Sequence, residues 1–314
     1  MQTMGGERLM YDTIIVGGGI GGLQTAIQLA RSMRRVAVID TPGGRSTVAK
    51  SYRNILGFED GVSGVSLRRQ GRKQAAKYGA VFFADEVVKL ESQGKAGFLV
   101  HRRNAVQPLE CRTLVMATGI KDPFPAIPGI EECLGTSIFL CPDCDGYETI
   151  EQRTAVIGAV PQAIEMADEL TFYTSKIYII NHEQVPVQPE LRKTLSEKGY
   201  TLLEAAVERM LHDEGRLRQL ILATGEHLDV TRAFLSFPGA QVQTALLKPL
   251  SVRLNPKGHV LTNPRTKETD HPNLWAVGDI VEHSQQVAIA MGDGAQAAIW
   301  IQKRLREQGF TERR

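Results

Sequence analysis

Cys141 and Cys144 are separated by Pro142 and Asp143 and followed directly by Asp145 and Gly146, a spacing suited to redox chemistry. Two cysteines with two residues between them can close a short disulfide. When neighbours favour the thiolate of one, the pair accepts electrons and passes them on by thiol exchange. Asp145, directly behind the second cysteine, supplies a proton donor or acceptor for that exchange. Zinc binding is the competing use of Cys-x-x-Cys. It usually needs four ligands in two clusters, and no second Cys/His pair stands at ligand spacing, so no metal is expected. Cysteines occur only at 111, 133, 141 and 144, too few for a disulfide scaffold in 314 residues. Cys111 and Cys133 read as small buried side chains, and one redox-active pair fits a cytosolic protein.

The elements that must position this pair begin with a nucleotide fold. Tyr11 to Val16 reads as a buried strand, Gly17-Gly18-Gly19-Ile20-Gly21-Gly22 gives G-x-G-x-x-G, and Leu23, Ala26, Ile27, Ala30 and Met33 repeat at helical spacing. Val36 to Ile39 is a second strand ending in Asp40, where an acid meets a ribose hydroxyl. Gly17 permits the tight turn, Gly19 admits a pyrophosphate, Gly22 allows close helix packing, and the helix N-terminus attracts the anion. Gly43, Gly44, Arg45 and Ser46, then Asn54 to Phe58, form glycine-containing loops before a helix near Ser66 to Tyr78. Ala80 to His101 reads as short strands around Val87 to Leu90 and Phe98 to His101. Thr113 to Ala117 is a buried strand closed by Thr118-Gly119, and Lys121 to Gly129, with three prolines, reads as a linker.

Beyond the cysteines, Thr154 to Ile157 reads as a strand, and Ala163, Ile164, Ala167 and Leu170 as the apolar face of a helix. Ile177 to Ile180, Leu220 to Ala223 and Ala233 to Phe237 are further strands, with a turn at Pro238-Gly239. The last third supplies strands at Val260-Leu261 and Leu274 to Val277, then Gly278-Asp279. A helix from about Gln286 to Arg306 carries Val287, Ala290, Ala297, Ile301 and Leu305. Gly292 and Gly294 mark close packing or a bend in it, and Trp300 reads as core packing.

Composition narrows the function. With 42% apolar and 23% charged residues, the chain is long enough for about two domains. A net charge of +2 is near neutral, and clusters such as Arg31 to Arg35 and Arg68 to Lys73 read as solvated helix faces, without the basic stripe of a nucleic-acid binder. No segment carries the ~18 or more apolar residues of a membrane span. Met1 to Met10 reads as a loose tail without an h-region, and Gln308 to Arg314 as a polar tail.

The order of glycine fingerprint, Ala117-Thr118-Gly119, proline-rich linker, Cys-x-x-Cys-Asp-Gly, second strand-turn-helix and Ala276-Val277-Gly278-Asp279 resembles the low-molecular-weight thioredoxin reductases over almost the whole chain. The resemblance implies an α/β fold of two Rossmann-like nucleotide-binding domains. The FAD domain would be discontinuous (1–120 and 246–314), with the domain carrying the cysteines (121–245) inserted. It implies flavin contacts at Gly43, Gly44 and Asn54, Asp279 on the ribityl chain, and Gln286 and Val287 beside the ring. It also implies that Cys144 lies nearer the flavin, that Cys141 attacks an external disulfide, that Asp145 shuttles the proton, and that the protein is a cytoplasmic homodimer.

The middle domain departs from that pattern. Its loop, Gly158-Ala159-Val160-Pro161-Gln162-Ala163, places Val160 at the second glycine position, where a β-branched side chain is expected to fill pyrophosphate space. Pro161 removes an amide donor. Where users of NADPH carry an arginine pair for the 2′-phosphate, this chain has Asn181-His182-Glu183-Gln184, and an acid repels a dianion. Glu183 leaves an NADH reading open, and His182 reads as a surface loop residue.

The expected function is therefore an FAD-dependent disulfide oxidoreductase acting on a thioredoxin-like protein or a small disulfide, fed by a donor other than NADPH, such as ferredoxin. It resembles the deeply rooted and the ferredoxin-dependent flavin thioredoxin reductases. A flavin-dependent dithiol oxidase using oxygen is the alternative. An NADH- or NADPH-dependent thioredoxin reductase and a flavin-binding sensor with vestigial cysteines are lesser ones.

Overall fold

A computed structural model describes residues 10–310, so the first nine residues and the last four, including most of the expected tails, lie outside the described residues. Met10 itself opens the first strand. In chain order the elements are β1 (Met10–Val16), α1 (Ile20–Arg31), β2 (Val36–Asp40), α2 (Gly64–Lys77), β3 (Val81–Ala84), β4 (Val87–Ser92), β5 (Phe98–Arg102), β6 (Leu109–Met116) and β7 (Ile120–Lys121). The middle of the chain gives α3 (Ile130–Cys133), β8 (Ile138–Phe139), α4 (Pro142–Asp145), β9 (Thr154–Gly158), α5 (Val160–Leu170), β10 (Ile177–Asn181), α6 (Pro189–Glu197) and β11 (Thr201–Leu203). It continues through β12 (Val207–Asp213), β13 (Arg216–Leu222), β14 (His227–Asp229) and β15 (Arg232–Ser236), and β16 (Gln241–Val242), β17 (Leu274–Ala276) and α7 (Val287–Glu307) complete the fold.

Among the described residues two compact units result: 10–47, 64–121 and 241–310 in the first, 48–63 and 122–240 in the second. The first unit is built on a seven-stranded sheet in the order β3-β2-β1-β6-β5-β4. Strand β6 serves two neighbours on one edge, its start pairing antiparallel with β5 and its end parallel with β17. The continuous apolar runs of β1, β2 and β6 follow from burial on both faces. Ile14, Leu114 and Met116 pack to one side, and Ile15, Val38, Val115 and Trp275 to the other, with α1 and α7. Helices α1 and α7 touch closely because Gly294 has no side chain: a Cβ there would lie 2.4 Å from the Gly21 carbonyl oxygen. Gly292, the other glycine of that helix, faces open space. Where the chain leaves and re-enters this unit, β7 and β16 pair antiparallel.

The second unit has an all-parallel sheet, β11-β10-β9-β15-β8, and an antiparallel meander β12-β13-β14. Ala155, Ile157 and Ala233 face one core, and Val156, Phe234 and the α5 residues Ala163, Ile164, Ala167 and Leu170 the other. The larger of these, Val156, Ile157, Leu170 and Phe234, are fully buried and each contributes roughly 1.5–3 kcal/mol.

Several expectations are corrected. Trp300 is half-buried at the surface with Lys303 Nζ 4.1 Å from its ring centre, and Trp275 is the core tryptophan. A helical spacing alone did not say which face was covered. Val260 forms only isolated bridges to Leu254 and Val281, not a strand. Among the described residues, no helix is long and apolar enough to cross a membrane.

Candidate active site

The glycine fingerprint sits between β1 and α1. Gly17 adopts φ +105°, and a Cβ there would lie 2.3 Å from the Ala117 carbonyl oxygen. One on Gly22 would lie 2.1 Å from the Gly17 carbonyl oxygen. Only glycine fits at both positions. A Cβ on Gly19 or Gly119 would meet nothing within 4 Å, so the backbone is bare where a pyrophosphate approaches. Asp40, expected at a ribose hydroxyl, is held in place: its carboxylate accepts the Gly18 N–H at 2.7 Å and pairs with Arg68 at 2.7 Å. A carboxylate has about four lone-pair sites, so acceptor capacity for a ribose hydroxyl remains.

Arg68 also donates to the Gly18 carbonyl at 3.1 Å and to the Gly43 carbonyl, tying the fingerprint to the loop of Gly43 and Gly44. This overturns the reading of Arg68 to Lys73 as a solvated face throughout, since the Arg68 side chain is only 14% exposed. The stripe of Gly64, Arg68, Gly71 and Ala75, at helical spacing, carried the signal.

Asp279 is met by Arg45 at 3.2 Å, and Arg45 also binds Gln285. Gly278, at φ +75°, donates its N–H at 3.0 Å to Asp293, a carboxylate of α7. Asp293 is almost fully buried and receives His283 Nε2 at 2.6 Å and Lys267 Nζ at 2.8 Å. Burial pushes its carboxyl up, but the imidazole, the ammonium and the Gly278 N–H outweigh this and hold it below the usual range. Bonding to Asp293 in turn raises His283. Sequence reading missed this hub because its members are 26 residues apart and share no motif. Gln286 caps α7 and Val287 begins it. Thr118 donates its hydroxyl to the Gln243 carbonyl at 2.7 Å. Asn54 is exposed and belongs to the second unit.

The second unit repeats the strand-turn-helix with a different loop. Gly158 takes the place of Gly17, since a Cβ there would lie 2.1 Å from the Ser236 carbonyl oxygen. The helix then starts one residue sooner: its first bond runs from Ala163 N–H to Ala159 O, whereas α1 starts with Leu23 N–H to Gly19 O. The Ala159 N–H is donated to Ser236 O at 3.1 Å, and Pro161 has none to give. One expectation fails here. The Val160 side chain does not fill the mouth of the loop but is 4% exposed and packed with Phe139, Ile164 and Phe234. Obstruction by Val160 is thus replaced by a tighter turn with fewer amide donors. At the end of β10, Asn181 is buried and donates to Val185 O, and in the following turn Glu183 is exposed. His182 is not a free surface residue: its Nδ1 accepts the Val207 N–H at 3.0 Å, and burial lowers its pKa.

The cysteine pair lies on the short helix α4, with Cys141 at its N-cap and Pro142 inside the first turn. Both sulfurs are free thiols, each half-buried. Cys144 donates its S–H to Cys141, and with the Cys144 N–H this lowers the Cys141 pKa against burial and the nearby Asp143 and Asp145 carboxylates. The same bond and burial push Cys144 strongly up. Cys141 is therefore the more readily ionised of the two and Cys144 the one that keeps its proton longer. Burial, followed by the Glu148 charge, pushes the Asp145 carboxyl up to about 7, while Arg53 pulls it down. That value suits proton transfer near neutral pH. Cys133 is buried and raised, and Cys111, fully buried, is pushed up to about 12.

Comparison with known proteins gives a consistent family. Residues 11–294 match the pyridine nucleotide-disulphide oxidoreductase family. The chain is 27% identical to thioredoxin reductase of Mycolicibacterium smegmatis over 315 residues, covering 97% of this chain and all of that protein. The solved structure of HlmI superposes with a TM-score of 0.85 at 29% identity, covering 97% of this chain and 96% of that one. Thioredoxin reductase of Streptococcus pyogenes gives 0.84 at 25%, covering 96% and 100%. This chain belongs to the pyridine nucleotide-disulphide oxidoreductase family as a thioredoxin reductase-like, flavin-dependent disulfide oxidoreductase with FAD as its cofactor.

Proposed function

We propose that this protein reduces the disulfide of a thioredoxin-like protein, or a small disulfide, through Cys141 and Cys144, using a reductant other than NADPH, most simply a ferredoxin-type one-electron donor. The observation that carries this reading is the second loop. Its helix begins one residue early, its Ala159 amide is already donated, and Pro161 removes another donor where a second nucleotide would bind. The reading includes a cytoplasmic homodimer.

The bare fingerprint around Gly19 fits FAD. Gly17, Gly19, Gly22, Asp40, Gly44, Thr118, Gly119, Gly278, Asp279, Gln286 and Val287 would hold it in the first unit. FAD when bound supplies the electron pair that keeps the cysteines reduced. The remaining chemistry belongs to the chain. The Cys141 thiolate attacks one sulfur of the partner disulfide, forming a mixed disulfide, and the departing thiolate takes the proton of Asp145. The Asp145 carboxylate then accepts the proton of Cys144, whose thiolate attacks Cys141. This closes the Cys141–Cys144 disulfide and releases the second partner thiolate.

Anaerobic titration of the FAD-loaded protein with NADPH, NADH and reduced ferredoxin tests the donor. Bleaching of the flavin band by ferredoxin and not by NADPH is expected. Prompt stoichiometric bleaching by NADPH would overturn the reading, and bleaching by a small dithiol with peroxide formed in air would make the protein a dithiol oxidase.

A further inference from the structure

The segment 48–63 packs with the unit that carries the cysteines. A bridge between Tyr52 and Val62 closes it into a loop, and Val48 and Lys50 press on Gly135, where a Cβ would lie 2.3 Å from the Val48 carbonyl oxygen. This places Arg53 with its Nη1 2.9 Å from Oε1 of Glu148. Glu148 lies on the 3-10 turn Gly146–Thr149 that continues α4, three residues beyond Asp145. From β15, Arg232 Nε donates to the Glu148 carbonyl at 2.9 Å and pins that turn. The Glu148 side chain is 23% exposed and that of Arg53 is 55% exposed. As a surface ion pair this is worth ~0–1 kcal/mol of stability. Its consequence lies instead with the half-buried carboxyl next to it.

We propose that Glu148 and Arg53 are positioning residues that set, in opposite directions, the proton affinity of Asp145, and with it the pH range in which the cysteine pair exchanges. The inference rests on Asp145 being the proton carrier proposed above. Other charged groups face the same place: Cys141, Cys144 and Asp143 on α4, Glu165 and Glu169 on α5, and Arg232 on β15, with the Tyr173 ring against Gly146. The cysteines and Asp145 act on one another, and among the carboxylate and guanidinium groups Glu148 and Arg53 are the ones that act on Asp145, Glu148 the more strongly. Glu148 favours the protonated form, and Arg53 favours the carboxylate. A change at either one therefore alters the fraction of Asp145 able to give a proton near pH 7.

The test uses FAD-loaded protein reduced with dithionite and mixed rapidly with the small disulfide 5,5′-dithiobis(2-nitrobenzoate) from about pH 5 to 9. E148Q is expected to move the Asp145-dependent limb of the rate profile to lower pH, and R53Q to higher pH, each by about half a unit or more. The double variant should fall between E148Q and wild type. Movement of both single variants in the same direction, or of neither, overturns the proposal, because a purely structural role would change rates without shifting the limb in opposite senses. The Asp145→Asn protein separates the two ideas: if its profile keeps the wild-type limb, the assignment of Asp145 as proton carrier has failed instead.

Discussion

Replacing Asp145 by asparagine should make the protein more stable at alkaline pH while slowing its exchange chemistry. Burial raises this carboxyl from 3.8 to about 7, so the folded chain holds a proton that the unfolded chain has released. For a raised acid, stability is greatest below the unfolded pKa and falls as pH rises from about 4 to 7, after which the loss is complete. A shift of about three units corresponds to about 4 kcal/mol, and solvent reaching the half-buried side chain reduces this to about 2 kcal/mol. Asparagine keeps the shape without the ionisation. Urea unfolding of the reduced, FAD-loaded proteins should show D145N gaining about 2 kcal/mol over wild type between about pH 4 and pH 8. A difference between the two proteins that stays flat with pH, or that favours wild type as pH rises, would refute the assignment of the raised value to burial.

Gly22→Ala should abolish FAD retention measured by absorbance, because its Cβ would lie 2.1 Å from the Gly17 carbonyl oxygen. Val160→Ala should cost about 1–3 kcal/mol in thermal unfolding without creating NADPH reduction of the flavin, since the side chain lies in the core. Asp293→Asn should weaken FAD binding to the apoprotein about tenfold by loosening the Gly278 turn, and should lower the His283 pKa read by NMR. Native-state alkylation near pH 7 should label Cys141 first and leave Cys111, whose thiol is pushed up to about 12, unmodified until the protein unfolds.

Much of the first unit was legible because its signals are local. Gly22 is required by its contact with Gly17 within one turn, Gly17 has the positive φ that favours glycine, and the strand runs of β1, β2 and β6 are apolar because both faces are covered. Helix α6 and strands β11, β12 and β14 were not recognised: their half-exposed, charged sequences carry weak periodicity. Arg68 and Asp293 were missed for another reason, since each acts on a group distant in sequence, Arg68 on Asp40 and Asp293 on Gly278.

By itself the sequence determined the order of nucleotide folds, the bare first loop and the Cys-x-x-Cys-Asp unit, because each is written in neighbouring residues whose backbone and bond chemistry are fixed by type. Only the tertiary structure decided which side chains the fold turns inward and which charges it brings together. It sent Val160 into the core, moved the start of α5 by one residue, buried Asp293 among three donors and brought Arg53 to Glu148. Those outcomes depend on packing and electrostatics between distant segments, where burial alters what a charge costs.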